Sequence, residues 1–136
     1  MQVTADGPCP CGRSDARGRA QAFARCCGRH LADPDGTPAP DAEALMRSRY
    51  CAFVLENAGY LLATWHPSRR PPALDFTPGT KWLGLEVREH RQHDADHAEV
   101  AFVARSRVSG RGQRLQERSR FVREGGRWYY LDGEIA

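Results

Sequence analysis

Apolar positions after residue 40 recur with two different periods. From Asp41 to about Trp65 they follow helical spacing, with Leu45, Met46, Tyr50, Phe53 and Val54 as the repeating set. Asp41 is a suitable N-cap, and Glu43 places an acid in the first turn, where the helix dipole favours negative charge. Asn57-Ala58-Gly59 is expected to break the pattern, leaving a shorter helix over Tyr60–Trp65 that ends before His66-Pro67. A proline-rich connection follows, and the period then becomes two residues. Strands are predicted over 82–90, 98–108, 114–124 and 127–132. The breaks between them are short, so the strands should form an antiparallel meander. Helices followed by hairpins predict an α+β fold, with Leu45, Phe53, Leu83, Leu85, Val100, Phe102, Phe121 and Tyr130 in its core.

The residues before this body behave differently. Ala32–Pro40 is rich in proline, glycine and aspartate and reads as a linker over 32–40, which separates a segment 1–31 from a body 41–136. Four of the five cysteines lie in the first segment, as Cys9-Pro10-Cys11-Gly12 and Cys26-Cys27-Gly28. Four clustered thiols in a chain without a readable export signal point to a metal site rather than to disulfides. Thiolates are soft donors suited to tetrahedral zinc, and His30 is an alternative to Cys27 as the fourth ligand. Cys51, in the middle of the first helix, reads as a small buried residue.

Composition adds limits. At 136 residues the chain is about one domain long. Its 20 basic residues, of which only Lys81 is lysine, are nearly balanced by 17 acids, so direct nucleic-acid binding is not expected. The basic excess is local: Arg13, Arg17, Arg19, Arg25 and Arg29 face only Asp15 in the cysteine segment. No apolar run is long enough for a membrane helix, and the opening residues lack a basic and then apolar leader, so a cytoplasmic protein without membrane contact is expected.

Pro8-Cys9-Pro10-Cys11-Gly12 and Phe23 before Cys26-Cys27-Gly28 resemble the SEC-C zinc motif. Leu45-Met46-Arg47-Ser48-Arg49-Tyr50, Thr64-Trp65-His66-Pro67, Trp82-Leu83-Gly84-Leu85, Arg118-Ser119-Arg120-Phe121 and Trp128–Gly133 are similar to the YchJ family of uncharacterised bacterial proteins, UPF0225. The resemblance covers nearly the whole chain. It implies an NTF2-like cone of helices packed on a four-stranded antiparallel sheet, with an N-terminal zinc hook ligated by Cys9, Cys11, Cys26 and Cys27. The fourteen residues between Cys11 and Cys26 exceed the compact motif and imply a looped-out hook.

Within the body, Leu115, Glu117, Ser119 and Phe121 share one strand phase, so Glu117 and Ser119 should face inward. Trp128, Tyr130 and Asp132 share a phase of the last strand. Burying such groups without partners costs about 1 to 3 kcal/mol per neutral group and more per charge. They therefore require either partners, with Arg49 the expected partner of Glu117, or a wet pocket. The pocket candidates are Arg49, Tyr50, Tyr60, Trp65, His66, Glu117, Ser119, Tyr130 and Asp132. No catalytic residues are assigned, since no nucleophile elbow, phosphate loop or dinucleotide fingerprint is present. The leading expectation is a zinc-bearing adaptor whose basic hook meets a protein or ribonucleoprotein partner. The alternative is a small-ligand-binding protein or an enzyme using the cone's pocket.

Overall fold

Tight turns organise the sheet. Ser109-Gly110 and Gly125-Gly126 hold φ of 50° and 80°, and of 58° and 80°. Two successive positive φ values make the hairpin turn whose twist matches that of the flanking strands. The computed structural model describes residues 3–135, so the first two residues of the expected hook and the last of the expected body lie outside the described residues. The elements are a 3-10 turn at Phe23–Arg25, then α1 (Cys27–Ala32), α2 (Ala42–Val54), α3 (Ala58–Ala63), β1 (Thr80–Asp94), β2 (His97–Val108), β3 (Arg111–Glu124) and β4 (Arg127–Ile135). The strands form one antiparallel sheet in the order β1-β2-β3-β4. No helix among the described residues is long and apolar enough to cross a membrane.

Asp41 caps α2 by accepting a hydrogen bond from the Ala44 amide at 2.7 Å. The break after α2 differs from expectation: Glu56 takes a left-handed backbone (φ 54°), and Asn57 caps α3 by accepting from the Tyr60 amide. Ala58-Gly59 thus forms the start of α3 instead of a break before it. The segment after α3 closes the β4 edge, with His66 N–H donating to Tyr130 O and Tyr130 N–H to Thr64 O, both at 2.8 Å.

Leu45, Val100, Phe102 and Phe121 are buried as expected. Leu83 is not: it is 47% exposed, and Trp82 packs against the core in its place. The cause is a register shift in β1 between Trp82 and Gly84, which leaves Leu83 unopposed and inverts the phase ahead of Leu85 and Val87.

The cysteine segment folds onto the body. Cys9, Cys11, Cys26 and Cys27 belong to the same buried cluster as Leu45, Met46, Tyr50 and Cys51 of α2 and Val100, Phe102 and Phe121 of the sheet. The long excursion between the cysteine pairs is an exposed hairpin-like arm. It is laced by pairings of Pro8 with Ala22 and Ser14 with Ala20, and Asp15 accepts from the amides of Arg17 and Arg19.

Candidate metal centre and cavity

The two ends of the cysteine motif meet because the arm returns in antiparallel register, with Cys9 N–H donating to Gln21 O at 2.8 Å. The donor atoms of Cys9, Cys11, Cys26 and Cys27 all lie within 4.8 Å of one another, and all four residues are buried. Cys11 Sγ is 3.6 Å from Cys26 Sγ, which is 4.0 Å from Cys27 Sγ. Metal–sulfur bonds of about 2.3 Å in a tetrahedron separate sulfurs by about 3.8 Å, so the four thiols fit a metal ion. The Arg13 amide points at Cys11 Sγ at 3.5 Å, an arrangement that favours a thiolate. Hydrogen bonds from Cys26, Cys27, Cys51 and Cys9 pull the Cys11 thiol far below the usual range. The same neighbours, Cys11 foremost, push Cys27 far above it, because adjacent thiols without a cation cannot all ionise.

His30 does not belong to the four-donor group. Its Nδ1–H donates to Thr37 O at 2.7 Å, which ties α1 to the segment leading into α2. Burial holds its pKa below the ordinary imidazole value. Glu43 of α2 fastens the arm from the other side, accepting from Arg13 at 2.7 Å and from Arg47 at 2.8 Å, while Arg47 also donates to Cys11 O. Sequence reasoning missed one residue of this centre. Cys51 is fully buried as expected, but its Sγ lies 3.5 Å from Cys9 Sγ.

The opposite flank of α2 faces a cavity of about 300 Å³ between the helix and the sheet. Arg49, Tyr50, Trp65, Glu117, Ser119 and Tyr130 line it, together with Met46, Phe53, Trp82, Phe102, Ala104, Leu115 and Phe121. Three pocket candidates lie elsewhere. Tyr60 is buried behind α2 with its hydroxyl 2.7 Å from Ser48 Oγ. His66 sits at the sheet edge between Ser68 and Glu124. Asp132 is on the outer face, bonded to Arg120 at 2.5 Å. A register shift between Arg120 and Phe121 places Leu131 in a bulge, so Tyr130 and Asp132 point to opposite faces.

Glu117 faces inward opposite Phe102, as its phase requires, but its expected ion pair with Arg49 is absent among the described residues. Instead, Tyr130 stands between them. The Arg49 guanidinium carbon lies 4.6 Å from the Tyr130 ring centroid and 5.3 Å from that of Trp65. The Tyr130 hydroxyl, in turn, donates to Glu117 at 3.3 Å, and Ser119 Oγ donates to the same carboxylate. Gly133 makes room for this carboxylate: a Cβ there would come within 2.4 Å of Glu117 Oε2. Arg49 also donates through Nη1 to Leu61 O and Thr64 Oγ1, both at 2.7 Å. Burial lowers its pKa to about 10, so it remains a cation at neutral pH. The Trp65 Nε1–H is buried and has no hydrogen-bond partner among the described residues.

The sequence family described as YchJ, middle NTF2-like domain, matches residues 41–133. A UPF0225 protein of Polaromonas sp. (strain JS666) is 70% identical over 127 residues, covering 93% of this chain and 91% of that protein. A UPF0225 protein of Bordetella pertussis is 52% identical, covering 93% and 92%. Among solved structures, a SEC-C motif containing protein from Rhodopseudomonas palustris aligns with a TM-score of 0.80 at 34% identity, covering 96% of this chain and 99% of that one. A SEC-C motif containing protein from Psychrobacter arcticus aligns with a TM-score of 0.79 at 29% identity, covering 97% and 84%.

Proposed function

Because the chain belongs to the UPF0225 family, with the NTF2-like body of YchJ behind a SEC-C cysteine cluster, we propose that it is a small-ligand-binding protein whose cone is held in shape by a structural zinc ion. The carrying observation is the cavity. Its volume of about 300 Å³ lies at the lower end of the range for small-molecule sites, roughly 300 to 1,000 Å³. Aromatic walls offer apolar contact, and the polar groups converge from α2, Trp65 and β3. A fitting ligand is a compact molecule with an apolar body, an acceptor group for Arg49 and the unpartnered Trp65 Nε1–H, and a donor group for Glu117.

Zinc suits the four thiols by softness and by spacing, and would supply folding energy where the arm cannot bury a core alone. A completed thiolate set leaves no coordination position for substrate, which supports a structural over a catalytic role. The test is an amide and indole NMR titration with a panel of aromatic acids, amines and amino acids. Binding should shift the Trp65 indole and the Arg49 and Ser119 resonances, and Ala104→Phe should abolish those shifts by filling the cavity. Failure of the whole panel to move these signals would sink the reading.

A second reading rests on a separate observation. Arg17, Arg19, Arg25 and Arg29 are exposed on the arm and α1, and none pairs with an acid among the described residues. Such a surface favours an acidic protein or ribonucleoprotein partner. Native pull-downs comparing the wild type with a variant carrying glutamate at these four positions would test it. Equal capture by both would remove the arm from consideration.

A further inference from the structure

We propose that Cys51 is a fifth thiol of the metal centre, donating its S–H to the Cys9 sulfur when the four-cysteine set is bound and taking the place of Cys9 on the metal when Cys9 is lost. The inference rests on the zinc reading above and concerns a residue outside the SEC-C motif.

Its basis is positional. Cys51 Sγ is 3.5 Å from Cys9 Sγ, closer than the 3.6 Å between the motif cysteines Cys11 and Cys26. Cys51 belongs to the same buried cluster as Cys9, Cys11, Cys26 and Cys27, so its thiol faces the motif and not solvent. It is fully buried in the last turn of the 13-residue α2, two turns beyond Ala44, which lines a small cavity with Cys26 and Cys27. Cys9 is its one side-chain hydrogen-bond partner among the described residues.

Donor chemistry then separates Cys51 from the other nearby candidate. His30 spends its Nδ1–H on Thr37 O, whereas Cys51 offers the same soft sulfur as Cys9, which it touches. A thiol that donates to a ligating thiolate tunes the metal in the way other outer partners do, and loss of such a partner typically costs about 10- to 100-fold in metal affinity. A buried serine or alanine at 51 would fill most of the same space without supplying a thiolate. What Cys51 adds over either residue is a sulfur donor beside Cys9.

The experiment uses the full chain loaded with cobalt(II) as a spectroscopic probe, with metal content read independently by elemental analysis. The intensity of the thiolate-to-cobalt charge-transfer band reports the number of bound thiolates. Cys9→Ser should still bind about one metal per chain with the band intensity of the wild type, because Cys51 restores the fourth thiolate. Cys9→Ser combined with Cys51→Ala should show a reduced band and weaker binding. Cys51→Ala, which removes the donor as well as the sulfur, should by itself keep the full stoichiometry and lose about tenfold in affinity in chelator competition. If Cys9→Ser matches the double variant, or if Cys51→Ala leaves affinity unchanged, Cys51 is packing only. If Cys9→Ser does not fold, the affinity of Cys51→Ala decides. A wild-type protein that binds no metal would instead overturn the zinc reading itself.

Discussion

The two flanks of α2 solve the problem of buried polarity in opposite ways. On the flank facing the cysteine segment, five thiols crowd together with one another as their principal partners, and a single small cation would complete the arrangement. On the flank facing the sheet, a guanidinium and a carboxylate are kept apart by a tyrosine that stacks on one and donates to the other. The first site gathers soft donors, whereas the second encloses space. A cluster of donors selects a metal by donor type and spacing. An enclosed space selects a molecule by shape, with a few polar groups to orient it.

The largest expected effect separates the sites by stability. Since the cysteines share one buried cluster with α2 and the sheet, chelation or Cys11→Ser should destabilise the whole chain by more than about 4 kcal/mol. Circular dichroism of the helices and fluorescence of Trp82 and Trp128 should then report one coincident transition. A hook that melts alone while the tryptophans keep their native signal would show the two flanks to be independent.

Next is Arg49→Met, which deletes a buried cation but retains apolar bulk. Lost hydrogen bonds to Leu61 O and Thr64 and lost stacking should cost about 2 kcal/mol in urea unfolding, after relief of desolvation. A neutral or stabilising result would mean that the cation is kept for a ligand rather than for the fold.

Glu43→Gln probes the clamp on the metal side. Burial opposes ionisation of Glu43, but the hydrogen bonds from Arg47 and Arg13 outweigh it and hold its pKa below the ordinary carboxylate value. A depressed folded-state pKa contributes stability that is fully present above the unfolded value of about 4.3 and is lost as pH falls through the folded value. Relative to the wild type, the variant should be about 1 kcal/mol less stable at neutral pH, with the difference shrinking below about pH 4. A gap that does not change with pH would exclude the carboxylate as its source.

The smallest effect is expected from Glu117→Gln. A direct buried ion pair with Arg49 would make the change cost about 3 to 5 kcal/mol. With Tyr130 interposed and Glu117 only half-buried, less than about 1 kcal/mol is expected in the same urea assay.

What the sequence revealed follows from how local each determinant is. The hairpins and the Asp41 cap depend on a few adjacent residues, and they stand where turn and capping chemistry put them. The inward direction of Glu117 and Ser119 was also legible, because β3 runs against β2 without a bulge through that stretch. The bulges at Leu83 and Leu131 were not legible, as they answer to the fit of neighbouring strands. Each moved one expected residue, Leu83 and Asp132, to the other face. Cys51 reads as ordinary core in the sequence because its contact with Cys9 arises only when a segment about forty residues earlier in the chain docks on its helix. Composition gave no sign that this segment would join the core, since it is rich in arginine and glycine.

The placement of Cys51 and Arg49 two residues apart on one helix makes α2 a common wall. A cavity occupant that favours one setting of the helix will also favour whichever metal-loading state shares that setting. Reciprocity then fixes the reverse effect at the same factor: if the ligand tightens metal binding tenfold, the metal tightens ligand binding tenfold. If an ion and a small molecule both bind, the shared helix is the element through which affinity at one site would follow occupancy of the other.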